Sequence, residues 1–180
     1  PPAPMKTRLS AALRASAQAA LDSGAAQKWR GLAWLGIALL LVQIMLGGWV
    51  SSNFAALACT DFPLCRGSLL PAMDFSYSLK NDGLPLSVER LTAIHWMHRA
   101  GALLTVIYLG WLSCRVMAVA GLRMIGKAML GLVVFQFVIG VSNVLLGLSL
   151  AGAVLHNAVA MLLLVTLVLL NFRLKENRAL

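Results

Sequence analysis

Four stretches of this chain, at roughly residues 32–51, 91–112, 124–146 and 152–172, approach the ~20 apolar residues needed to cross a ~30 Å hydrocarbon layer. In lipid every backbone N–H and C=O must be satisfied within its own segment, so all four are expected to be helices. The chain has 180 residues, 60% of them hydrophobic and 12% charged, and a mean hydropathy of +0.84. It is too apolar for a soluble domain and too short for two. The expected fold is all-α, an integral membrane four-helix bundle spanning 32–174. A basic linker at 1–31, an outer loop at 52–90 and a tail at 175–180 complete the chain.

A formal charge of +9 invites a nucleic-acid reading, but the placement of the charges argues against it. Lys6, Arg8, Arg14, Lys28 and Arg30 precede the first span, Arg115, Arg123 and Lys127 lie between the second and third, and Arg173, Lys175 and Arg178 follow the fourth. All three clusters fall on one side of a four-helix topology. The 52–90 loop balances Arg66, Lys80 and Arg90 against Asp61, Asp74, Asp82 and Glu89. Positive charge marks the cytoplasmic side, so both termini are expected inside and the loop outside, across a bacterial inner membrane with the loop in the periplasm.

The first 31 residues are rich in Ala, Ser and Arg. Leu9, Leu13, Ala17 and Leu21 suggest a weak basic amphipathic helix on the cytoplasmic face. The composition also resembles a transit peptide. The P-P-A-P opening without an initiator Met favours a cytoplasmic linker in a chain cut from something longer.

Two hairpins repeat one pattern. V-Q-I-M-L-G-G-W-V-S-S-N (42–53) resembles F-Q-F-V-I-G-V-S-N (135–143), with Gln43 and Gln136 each followed four residues later by glycine. H-R-A-G-A-L-L (98–104) resembles H-N-A-V-A-M-L (156–162). Each unit crosses the membrane twice, so the copies share one orientation and can be related by a two-fold axis along the membrane normal.

That repeat gives His98 and His156 their weight, because an ionisable side chain in a spanning segment marks a functional site by default. At 1.5 Å per residue, His98 lies ~10 Å beyond Leu91 and His156 ~6 Å beyond Gly152, about one turn apart in depth. Two neutral imidazoles at one level can supply both axial ligands of a haem iron. Gly101 and Ala102 after His98, and Gly152, Ala153 and Ala160 around His156, leave room for a flat macrocycle, although small residues at such spacing also serve helix contact. Zinc would need a third or fourth His, Cys or carboxylate at that depth, and none is in the sequence there.

The neighbouring residues leave alternatives open. His95, one turn before His98, could be a second ligand, a proton carrier or an interfacial residue. Arg99 suits either a haem propionate or a snorkel toward headgroups. Gln43 and Gln136 read as interhelical glue rather than haem contacts. Trp49, Trp96 and Trp111 read as interface anchors. Cys59 and Cys65, in C-T-D-F-P-L-C of the outer loop, are placed for a disulfide in an oxidising compartment, worth roughly 2–2.5 kcal/mol by chain entropy. A pair of free thiols is the alternative. Cys114 is expected to be an unpaired packing cysteine. Pro63, Pro71 and Pro85 with Phe54, Phe62, Phe75 and Tyr77 suggest that the loop folds back over the outer helix ends.

Taken in order, L-G-G-W-V-S-S-N-F-A-A-L-A-C-T-D-F-P-L-C-R-G (46–67), P-A-M-D-F (71–75), A-I-H-W-M-H-R-A-G-A (93–102) and L-H-N-A-V-A (155–160) resemble the C-terminal four-helix half of the heme A synthase family. The resemblance covers about residues 32–174. It implies oxidation of a methyl group of haem O to the formyl group of haem A, for terminal oxidase biogenesis. It also implies two pseudo-symmetric bundles, the C-terminal one holding haem b between histidines that map to His98 and His156, with an outer cysteine pair at Cys59 and Cys65. The family's other half takes the substrate and carries a glutamate three residues before a ligand-type histidine. Here that position is His95, and no acidic residue lies in any apolar span.

The chain therefore reads as the haem b cofactor half of an oxidoreductase, with stand-alone activity open and His95 as the only candidate catalytic residue. Its expected partners are haem O with the enzyme's N-terminal half, membrane lipid, a further copy of itself, and haem O synthase or oxidase assembly proteins. The competing readings are a b-type cytochrome exchanging electrons with quinone, a non-catalytic oxidase assembly factor, and a disulfide-generating quinone oxidoreductase. The last usually needs C-x-x-C and a second cysteine pair, which this chain lacks.

Overall fold

The computed structural model describes residues 5–76, 86–119 and 121–176, with side chains from Trp29 onward. Tyr77, Lys80, Asp82, Pro85 and Arg178, and the basic and apolar side chains assigned to residues 1–28, lie outside what it describes. Four α-helices account for most of the rest: α1 Met5–Ser52, α2 Val88–Met117, α3 Arg123–Leu145 and α4 Leu150–Glu176. Each is long and apolar enough to cross a membrane, α1 through its Trp29–Ser52 part.

The helices extend beyond the apolar runs because hydrogen bonding continues through the interface until a cap or a left-handed residue stops it. Ser87 accepts from the Arg90 N–H and starts α2 ahead of Leu91, with Glu89 in the favourable first turn. At the end of α3, Gly147 takes φ 74° and the Leu148 N–H reaches back to the Asn143 carbonyl, a Schellman closure. That tight turn makes α3 and α4 an antiparallel hairpin. The linker and the first span are parts of one helix, α1 running without interruption through residue 31.

The helices form a closed ring, α1 packing on α2 and α4, and α3 on the same two. Consequently α2 and α4, the histidine-bearing helices, stand diagonally. Buried apolar residues gather toward the end remote from the 52–90 loop, here called the inner end, where Ala33, Ile37 and Leu40 of α1 meet Leu109, Leu112 and Val116 of α2, Met129 and Val133 of α3, and Leu163, Leu167, Leu170 and Leu174 of α4. A smaller cluster of Val50, Ala55 and Ile94 closes the outer end. Between Leu40 and Val50 on α1, and between His95 and Thr105 on α2, no residue is fully buried. The histidine layer occupies this interval.

The outer loop folds back onto the helix ends, as its aromatic content suggested. Trp96 Nε1 donates to the Leu69 carbonyl (2.9 Å), and Phe62 meets Phe137 of α3 edge-on at 6.0 Å. Trp96 is thus a clasp on the loop. Cys114 is unpaired but exposed on α2, so it does not pack in the interior as expected; only a helix face turned inward would bury it.

Candidate functional site

Each hairpin presents its histidine to the preceding helix in the same way. Gln43 Nε2 lies 3.0 Å from His98 Nδ1 and donates also to the His98 carbonyl (3.0 Å). Gln136 Nε2 lies 3.1 Å from His156 Nε2. One turn beyond each glutamine is a glycine whose missing side chain admits the ring. A Cβ on Gly47 would fall 3.3 Å from His98 Cε1, and one on Gly140 would fall 3.2 Å from His156 Cε1. The structure therefore assembles a repeated Gln–Gly–His set, glutamine and glycine on the first helix of each hairpin (α1, α3) and histidine on the second (α2, α4).

The sequence expected small residues beside the histidines at Gly101 and Gly152. These instead allow helix contact: a Cβ on Gly101 would strike Gln43 Oε1 and Leu46, and one on Gly152 would strike the Asn143 side chain. The glycines against the rings are Gly47 and Gly140. Their signal was already in the repeat, but reading the pairing required knowing which residues face one another across each hairpin.

Arg99 organises the loop above this layer. Its Nη1 donates to the Asp61 and Leu64 carbonyls (2.9 and 2.8 Å), its Nη2 to the Cys59 carbonyl (2.7 Å) and its Nε to His95 Nε2 (3.3 Å). One Nη2 N–H remains for a further acceptor such as a carboxylate. His95 is buried between helix and loop, its Nδ1 3.3 Å from the Cys59 N–H. With the Cys59 N–H at Nδ1 and the Arg99 Nε–H at Nε2, both ring nitrogens face donors, and a neutral imidazole has a lone pair for one of them. Sequence reasoning missed this clamp, because carbonyls of an irregular loop leave no trace in residue type.

Cys59 and Cys65 are joined by a disulfide, both buried. Within the ring it closes, Asp61 accepts from the Arg66 and Gly67 N–H groups (2.7 and 2.8 Å). The Gly67 bond, together with the Arg66 bond and the charge of Arg99, holds its carboxyl below the usual carboxylate range. Further along, Asp74 accepts from the Ser76 N–H (2.8 Å) and pairs with Arg90 (2.9 Å). Ser76, then Arg90, lower its carboxyl to about 2.

The residues fit a haem iron better than a bare metal ion. No group of three or more His, Cys, Asp or Glu that could hold a metal ion is found among the described residues. Two imidazoles suffice for haem, whose macrocycle supplies the other four ligands. Beside the histidines, Gln43 Oε1, Gln136 Oε1 and His156 Nδ1 are buried without a hydrogen-bond partner among the described residues, as are Arg30 Nε, Thr92 Oγ1 and Asn171 Oδ1 elsewhere. A bound group is one way to satisfy such atoms.

The four apolar helices define a multi-pass membrane protein in which each hairpin seats one histidine against a glutamine and a glycine. Its sequence relatives agree in kind. The heme A synthase of Shewanella oneidensis is 39% identical over 149 residues, 78% of this chain and 45% of that protein. Those of Beijerinckia indica and Methylobacterium nodulans are 35% and 32% identical over 146 and 129 residues, covering 76% and 70% of this chain and 40% and 36% of theirs. The chain thus spans less than half the length of these curated relatives. It belongs to the COX15-CtaA family of cytochrome oxidase assembly proteins, whose model matches residues 5–168.

Proposed function

We propose that this chain is the haem b-binding unit of a heme A synthase, supporting oxidation of the haem O methyl group to the formyl group of haem A. The observation that supports this reading is the Gln–Gly–His set repeated in each hairpin, with its two histidines on the diagonal helices α2 and α4. His98 and His156 would ligate the iron, and Arg99 has one N–H left for a propionate. Bound haem supplies one-electron transfer there. The two histidines set its ligation, the apolar inner core keeps water from reaching the layer from the cytoplasmic side, and the Arg99 clamp closes the loop above it. In this reading haem O is oxidised on a companion four-helix unit, which this chain serves with electrons from the periplasmic half of a bacterial inner membrane. Haem O synthase and oxidase assembly proteins are the natural partners on either side of that step.

An absorption spectrum of the detergent-purified chain, with and without dithionite, tests the reading. It should show one low-spin b-type haem. His98→Ala and His156→Ala should each lose the low-spin bands or hold a five-coordinate haem weakly. A full low-spin spectrum in both variants would refute the ligand assignment, and haem-free wild-type protein reconstituting none would favour a non-catalytic assembly role.

A further inference from the structure

Gln43 and Gln136 are half-buried polar side chains in the apolar part of the bundle, and bonds across a helix interface account for such residues in general. Glue does not account for their particulars. Gln43 reaches backbone as well as ring, while Gln136 is given only the ring of His156. What the two share is an amide against a ring nitrogen, a glycine one turn on that seats the ring, and an Oε1 with no partner among the described residues. A purely structural glutamine would be expected to satisfy both ends of its amide.

We propose that Gln43 and Gln136 are a matched pair of positioning residues that fix the ring orientation and the proton-bearing nitrogen of His98 and His156. This rests on the reading of those histidines as haem ligands. A neutral imidazole has one N–H and one lone pair. As the chain stands, Gln43 Nε2 lies 3.0 Å from Nδ1 and 3.5 Å from Nε2 of His98, and Gln136 Nε2 lies 3.1 Å from Nε2 of His156. The amide donates, so the nearer nitrogen carries the lone pair, leaving Nε2 of His98 and Nδ1 of His156 as the nitrogens farther from the amide. Once a ring nitrogen gives its lone pair to a metal, the other must carry the hydrogen. Rotation of each amide about its last torsion then offers the free Oε1 as acceptor for that N–H. An acceptor on the far nitrogen makes the imidazole a stronger donor and favours the ferric state.

Haemin titration and spectroelectrochemistry of the full chain test this, using Gln43→Leu and Gln136→Leu, which remove the amide, and Gln43→Glu and Gln136→Glu, which keep an acceptor. Each Leu variant should bind haemin roughly tenfold more weakly and shift the reduction potential upward. Each Glu variant should restore affinity and shift the potential below wild type. Weaker binding by the Leu variants at an unchanged potential, without rescue by Glu, would show helix glue and overturn the proposal. A low-spin wild type whose Leu variants match it in affinity and potential would overturn the proposal and leave the ligand assignment standing. A wild type that forms no low-spin haem would remove the assignment and the proposal with it. Should the Leu variants fail to fold, an unchanged potential in the folded Glu variants is the refuting result.

Discussion

Gly47 and Gly140 matter because of what one added carbon would do. Alanine at either place would put a Cβ 3.3 or 3.2 Å from a histidine ring, close enough that the ring must give by a few tenths of an ångström. Taking the low end of overpacking penalties, about 1 kcal/mol, Gly47→Ala or Gly140→Ala should weaken haemin binding roughly fivefold while circular dichroism stays helical. Gly126 is less forgiving, since its Cβ would meet the Met117 backbone N at 2.7 Å and the Ser113 carbonyl at 2.9 Å. Gly126→Ala should cost about 1–3 kcal/mol and lower the thermal midpoint of the detergent-solubilised chain. Residues of this kind were only partly legible in the sequence. His98 and His156 announce themselves because imidazole is conspicuous among leucines, whereas a glycine declares only that something passes close. The amide contacts of Gln43 and Gln136 depend on hairpin register, which residue type does not encode.

Among the elements, the spans were legible because period and length in lipid leave no alternative to a helix, and their ends were not. Ser87 caps α2 so that it starts at Val88, three residues ahead of the expected 91, and α4 runs to Glu176, four residues past the expected 172. The outer loop was legible as a cover from its aromatics, but its means of attachment was not. Part of that attachment is titratable. Asp74 has a carboxyl lowered to about 2 from an ordinary 3.8, so its bonds to Ser76 and Arg90 contribute fully above pH 4 and are lost as the pH falls from about 4 to about 2. Asp61, lowered in the same direction, adds to the trend. Cleavage within 61–76 by an acid-active protease should therefore rise below pH 4. Asp74→Asn should show that susceptibility already at pH 5, where wild type resists.

At the scale of the whole chain, a single histidine layer and no carboxylate in the apolar spans define what one copy can do alone. Expressed with a source of haem O and no companion unit, residues 1–180 should leave haem O unconverted, as chromatography of extracted haems would read. Haem A formed by this chain and lost on His95→Ala would overturn that expectation and make His95 a working base. The uneven core has a further consequence, for motion rather than chemistry. Leu112, Met129, Leu167 and Leu170 lock the inner end, while the outer end rests on a disulfide, a guanidinium and a few carbonyl bonds. Local opening costs least where apolar contacts are fewest, so amide exchange should be slowest around Leu167 and fastest around the turn at Gly147. A scaffold graded in this way can breathe at the loop end and keep its shape at the other.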